Sequence, residues 1–175
     1  MFKTIAIIIV VAILAVLAYA TTRPDNFRVE RSTSIKAPPE KIHALITDFH
    51  QWGAWSPYEK IDPSMKRTFS GAPSGKGAVY EWAGEGKAGA GRMEIMDAPV
   101  PAKVDIKLDF SKPFASHFTA QYTLKPKGDS TEVTWAMFGP AAYISKVMGL
   151  FFNMDKMIGA DFETGLANLK AVAEK

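Results

Sequence analysis

From Thr4 to Thr22 the chain carries no charge for nineteen residues, and within that run Ile5–Ala18 is wholly apolar. A helix of this length rises about 28 Å, close to the ~30 Å hydrocarbon thickness of a bilayer. With no polar face, it is not an amphipathic surface helix. Dense Ile and Val also suit a strand, but lipid does not accept an isolated one. The pattern therefore sets residues 1–23 apart as a transmembrane helix or signal-anchor, with 24–26 as linker and 27–175 as the domain. Two alternatives stay open. Lys3 supplies a minimal positive start and Ala18-Tyr19-Ala20 a small-x-small cleavage pattern, as in a signal peptide cut after Ala20. A buried core helix is the other. Lys3 favours an extracytoplasmic domain on a single-pass membrane protein, although Arg23, Arg28 and Arg31 oppose that orientation.

What remains is enough for one domain. The 175 residues are 47% apolar, which excludes a wholly disordered chain, and the absence of cysteine excludes disulfides, cysteine nucleophiles and thiolate metal sites. The net charge of +3 is spread along the sequence, without the basic face a nucleic-acid binder needs, so no nucleic-acid partner is expected.

Period-two alternation marks strands. In Phe27–Lys36, the residues Phe27, Val29, Arg31, Thr33 and Ile35 share a face, with Arg31 as the misfit. Pro38 and Pro39 stop that strand, and Ile42, Leu45, Ile46 and Phe49 then form a helical stripe. An irregular stretch follows with Trp52, Trp55 and Tyr58. Further strands are predicted at Met65–Phe69, Ala78–Glu85, Gly91–Asp97, Lys103–Phe110, Phe114–Leu124 and Thr131–Phe138, separated by Gly and Pro turns. Beyond Gly139-Pro140, apolar residues from Ile144 to Val172 recur at the helical period, predicting one helix over 142–173. The order predicts an α+β domain: a curved antiparallel sheet wrapped around the final helix.

Three segments carry a resemblance: 29–63 (VERSTSIKAPPEKIHALITDFHQWGAWSPYEKIDP), 80–95 (YEWAGEGKAGAGRMEI) and 155–170 (DKMIGADFETGLANLK). Together they resemble the SRPBCC superfamily, which includes START and birch-pollen-allergen-like proteins, and more closely its bacterial polyketide cyclase/dehydrase branch. The resemblance implies a helix-grip fold, with seven antiparallel strands gripping the last helix around a hydrophobic cavity. It also implies binding of lipids, sterols, polyketides or similar apolar molecules, with cyclisation or dehydration in some members. It supplies no catalytic residue to carry over.

On that frame the candidate ligand-binding residues are Trp52, Trp55 and Tyr58 at the cavity mouth, then Tyr80, Trp82, Ile106, Leu108, Phe118 and Trp135 on the sheet. Met148 and Phe152 are the candidates on the helix. Each could equally be plain core. His43, His50 and His117 lack the spacing of a metal site, and the glycines at 84, 86, 89 and 91 lack the lysine and strand–helix context of a phosphate loop. No metal or cofactor is expected. Glu81, Glu85, Glu94 and Arg92 read as surface charge, and Asp155, Lys156, Asp161, Glu163 and Lys170 as the solvated face of the last helix. The leading expectation is a membrane-tethered module that binds a small hydrophobic or lipid-like ligand. A cyclase, dehydratase or hydrolase acting on an apolar substrate is the alternative, and an envelope protein without a small ligand is the second. The sequence leaves a protein partner unknown.

Overall fold

A computed structural model describes residues 2–86 and 88–175. Its seven strands are β1 (Asn26–Ile35), β2 (Lys66–Gly71), β3 (Ala78–Ala83), β4 (Ala90–Asp97), β5 (Lys103–Lys112), β6 (Ser116–Lys127) and β7 (Ser130–Pro140). They form one antiparallel sheet in the order β1-β7-β6-β5-β4-β3-β2. The helices are α1 (Phe2–Thr21), α2 (Pro39–Thr47), α3 (Tyr143–Met148) and α4 (Met154–Ala173), with 3-10 turns at Phe49–Ala54 and Pro57–Lys60.

Alternation decides which face of each strand is covered. On β5, Val104, Ile106 and Leu108 are buried while the residues between them are more exposed. Register shifts between β4 and β5, at Ala90/Gly91 and Ile95/Asp97, are bulges that bend the sheet. At Gly91 a side chain would collide with the Trp82 ring and the Asp109 carbonyl, so glycine lets that indole lie against β4. The bent sheet closes on α4, whose Phe162, Leu166, Leu169 and Ala173 are buried against it. Trp135 of β7 stacks on Phe162, with ring centroids 4.2 Å apart and planes 7° apart. Within α2, Ile42 and Ile46 belong to the same core.

The last helix differs from expectation. The single helix over 142–173 is two helices broken between Gly149 and Asn153. Asn153 caps α4 by accepting a hydrogen bond on its side chain from the Lys156 N–H at 2.9 Å. The apolar residues before the break happen to stay in phase with those after it, which hides the break from a periodicity argument. Ile144, Met148, Phe151 and Phe152 are exposed, and the inward stripe begins only near Ile158.

Arg31, the misfit of β1, lies mid-strand and reaches over α4. Its guanidinium donates to Glu163 at 2.8 Å and to Asp155 at 3.0 Å, crossing the helix where Gly159 leaves room. Asp155 and Glu163 are thus half of a clamp rather than plain solvated charge. Replacing Arg31 by Met removes both pairs. The expected result is a thermal midpoint lower by roughly a few degrees in low salt, with a smaller loss in high salt as screening weakens the native pairs. A midpoint unchanged in low salt counts against the clamp.

At the opposite end, α1 is long and apolar enough to cross a membrane, and also fits a signal sequence. Its end packs on α3: the Tyr143 hydroxyl donates to the Leu17 carbonyl at 2.8 Å, and Ala20 is buried. Lys146 of α3 pairs with Asp25 just beyond α1.

Candidate functional site

Between the bent sheet, α4 and the 3-10 segment lies a largely apolar cavity of about 380 Å³. The aromatic run after α2 forms one wall because two indoles are tied down. Trp52 Nε1 donates to the Ile46 carbonyl at 2.9 Å and Trp55 Nε1 to the Leu45 carbonyl at 3.2 Å. Strand alternation supplies the rest, sending Tyr80, Trp82, Leu108, Tyr122 and Trp135 to the concave side.

Of the expected site residues, Trp52, Tyr58, Tyr80, Trp82, Leu108 and Trp135 line this cavity. Trp55 and Ile106 do not; both are fully buried in the surrounding core. Phe118 and Phe152 line a second space, an open groove of about 910 Å³ between the start of β1, the β5–β6 turn and the α3–α4 connection. Met148 lines neither and is exposed, because α3 swings away from the sheet at the break. Groove and cavity share three wall residues, Phe110, Met137 and Ile158.

The polar groups of the cavity were mostly missed by the sequence reading. Ser56, in the turn after Trp55, lines it, as do Glu59, Tyr122 and Asp161. Tyr122 was legible, since it sits on the inward face of its strand. Asp161 was not, because a carboxylate beside a helix stripe reads as solvated. Glu59 is held by Arg67 at 2.6 Å and by the Tyr80 hydroxyl, which donates to it at 2.6 Å. Burial pushes the Tyr58, Tyr80 and Tyr122 phenols well up, so all three stay neutral across the physiological range. Asp161 is an exposed residue whose carboxyl is partly desolvated at the cavity edge, which raises it, with no cation opposing the shift. Ser56 Oγ, Tyr122 OH and Trp135 Nε1 are buried without a hydrogen-bond partner.

The histidines stand apart from the cavity. His50 and His117 are exposed and bond to Asp48 at 2.9 Å and Asp109 at 2.7 Å. No group of three or more His, Cys, Asp or Glu able to hold a metal occurs among the described residues. His43, which helix geometry set beside the α2 stripe, is buried, and burial pushes its imidazole below its ordinary value. The unfolded chain then binds the proton first as pH falls. The stability tied to neutral His43 is present above about pH 6.5 and lost below it, down through the depressed native value. Melting curves between about pH 7 and pH 5 should therefore slope less in a His43→Leu variant than in the parent chain. Identical slopes would remove His43 as the cause.

A family model described as "Polyketide cyclase / dehydrase and lipid transport" matches residues 26–174. The chain belongs to this family. Among solved structures, protein CV1439 from Chromobacterium violaceum is similar at 14% identity and a TM-score of 0.59, over 87% of this chain and 99% of that one. The Aha1 dimer from Colwellia psychrerythraea is similar at 15% identity and a TM-score of 0.58, over 85% and 96%. Ara h 8.0201 is similar at 11% identity and a TM-score of 0.54, over 85% and 97%. No curated protein matches the sequence. At these identities the neighbours fix the fold alone: this polyketide cyclase/dehydrase-family domain is a helix-grip fold, a curved seven-stranded antiparallel sheet around α4. The family is consistent with binding of hydrophobic ligands or with cyclase/dehydrase activity.

Proposed function

We propose that this protein is a membrane-tethered binding module that takes a small hydrophobic or lipid-like ligand into the cavity between the sheet and α4. The observation that carries the reading is that cavity, about 380 Å³ and walled chiefly by aromatic and aliphatic side chains. Removing apolar surface from water supplies ~25 cal/mol per Å², before the losses of ordering. The aromatic and Leu108 residues named above as lining it are the proposed contacts.

Tethering is supported by what surrounds the outer groove. It opens beside the end of α1, and its walls include the exposed Phe114 and Phe151 with Arg23 and Lys112. That combination suits the interface of a bilayer, where apolar side chains insert and basic ones meet headgroups. A ligand leaving lipid would pass the shared residues Phe110, Met137 and Ile158 to reach the cavity. With Lys3 retained inside, the domain stands on the extracytoplasmic side.

The test is native mass spectrometry of the full chain released from lipid nanodiscs, together with extraction of whatever it carries. Bound apolar material in stoichiometric amount supports the reading; a chain that stays empty after exposure to mixed lipids counts heavily against it. Replacing Phe114 and Phe151 by Asp should slow uptake from vesicles at least about threefold and leave equilibrium affinity unchanged, since both lie outside the cavity. Unchanged uptake would argue against the bilayer-facing route.

One observation favours a second reading, acid–base turnover of an apolar substrate. Asp161 is an ionisable group lining the cavity whose protonated form is favoured by partial desolvation, although the residue as a whole is exposed. Asp161→Asn would then abolish product formation while sparing binding.

A further inference from the structure

Exposed apolar side chains are not spread evenly over the domain. Outside α1, eleven large apolar residues are exposed among those described. Seven of them fall at Phe114 in the β5–β6 turn or between Tyr143 and Met157, around the break before α4. Phe114, Ile144, Phe151 and Phe152 stand on the walls of the outer groove. A concentration of this kind marks a surface with a partner. The break creates it: ending one helix at Met148 and starting the next at Met154 leaves the earlier apolar residues exposed, off the sheet.

Charge on this face is one-sided. From Ala141 to Met154 there is no carboxylate, and Lys146 is the only charged residue. Arg23, Arg28, Lys112 and Lys146 line the groove against a single acid, Asp155, which is clamped to Arg31. Asp25 offsets Lys146 and Glu30 offsets Arg28, whereas Arg23 and Lys112 have no ion pair among the described residues. Position then names what they meet. α1 is apolar enough to cross a bilayer, ends at Thr21 just before Arg23, and packs its last turns on α3. A bilayer that holds α1 therefore reaches the domain at this face, with Arg23 at headgroup level.

We propose that this face is a second membrane contact: the β5–β6 turn and the α3–α4 connection enter the headgroup region of an anionic leaflet, with Arg23 and Lys112 against its phosphates. The proposal rests on α1 being the tether, as set out above, and adds the lipid class and a docked orientation. Phe114 and Phe151 enter with their rings in the interface, where exposed apolar side chains leave water. Each basic side chain held at an anionic leaflet favours contact by roughly fivefold. The other end of the sheet stays in water, because β6 leads away from the β5–β6 turn for 12 residues, a length of roughly 36 Å.

The chain has no cysteine, so single cysteines report cleanly. Ala115→Cys and Met148→Cys on the face, Asp129→Cys in the β6–β7 turn and Leu14→Cys within α1 are each labelled with the dye NBD in the full chain. The labelled chains are reconstituted into vesicles of phosphatidylcholine, alone or mixed with phosphatidylglycerol, with and without nitroxide-bearing lipid. In the mixed vesicles both face labels are expected to shift to the blue and lose at least about half their emission to the nitroxide, while the Asp129 label loses little. Arg23→Gln combined with Lys112→Gln returns the face quenching to its lower level in pure phosphatidylcholine, and so does high salt. Face labels quenched no more than the Asp129 label, with the Leu14 label quenched, would overturn the docked face and leave the tether standing. Face labels that turn blue yet stay unquenched would overturn it too, a second copy then covering the face. Equal quenching in both vesicles would overturn the anionic class. An unquenched Leu14 label would overturn the tether and this proposal with it, whereas the cavity ligand is read separately by mass spectrometry.

Discussion

Replacing Ala120 by Phe is expected to weaken binding of an apolar ligand by at least about tenfold, with the fold intact. Ala120 lies on β6 between Ile106 of β5 and Met137 of β7, is buried, and lines the cavity. A benzyl group there projects into about 380 Å³ of space instead of into packed atoms. Enlarging a side chain in a filled core commonly costs about 1–3 kcal/mol through strain, and here the available space reduces that penalty. Phe also suits a strand. Binding is read by tryptophan fluorescence and folding by thermal melts. Full affinity in a folded Ala120→Phe variant would place the ligand elsewhere.

Trp135→Ala carries the largest expected loss of stability. The indole is only 3% exposed, stacks on Phe162 at 4.2 Å and on Tyr122 at 5.1 Å, and meets the Trp55 ring edge-on at 5.9 Å. It is therefore the residue through which the sheet grips α4 and the aromatic segment. Truncating a buried Trp costs about 3–5 kcal/mol, which for a domain of this size lowers the thermal midpoint by roughly 6–20 °C. Circular dichroism melts decide it. A drop of a degree or two would mean that α4 is held chiefly by Leu166, Leu169 and its other contacts. Trp135→Phe keeps much of the stack and should fall between the two.

The sheet was readable because strands declare themselves locally. On β1, Val29 and Ile35 alternate with polar neighbours, and Val104, Ile106 and Leu108 do so on β5. The cavity's aromatic walls follow from the same alternation, which is why Tyr80, Trp82, Leu108 and Trp135 were found. What stayed hidden depends on relations between distant residues. The break before α4 is set by a single capping side chain, Asn153, within a periodic run that looks continuous. Arg31 reads as a flaw in its strand until Asp155 and Glu163 stand beside it. Ser56 and Asp161 look like ordinary turn and surface residues, and only the closure of the sheet over α4 brings both to the lining of one cavity.

The connection between α1 and β1 is short: helix ends at Thr21 and strand begins at Asn26. Fully stretched, that span reaches no more than about 18 Å, and the α1–α3 contact takes up its slack. With α1 in a bilayer, the domain has no leash on which to swing toward a distant acceptor. Under the proposed tethering it would be a fixture with one side turned to the lipid, and any ligand it released would have to be collected at that surface.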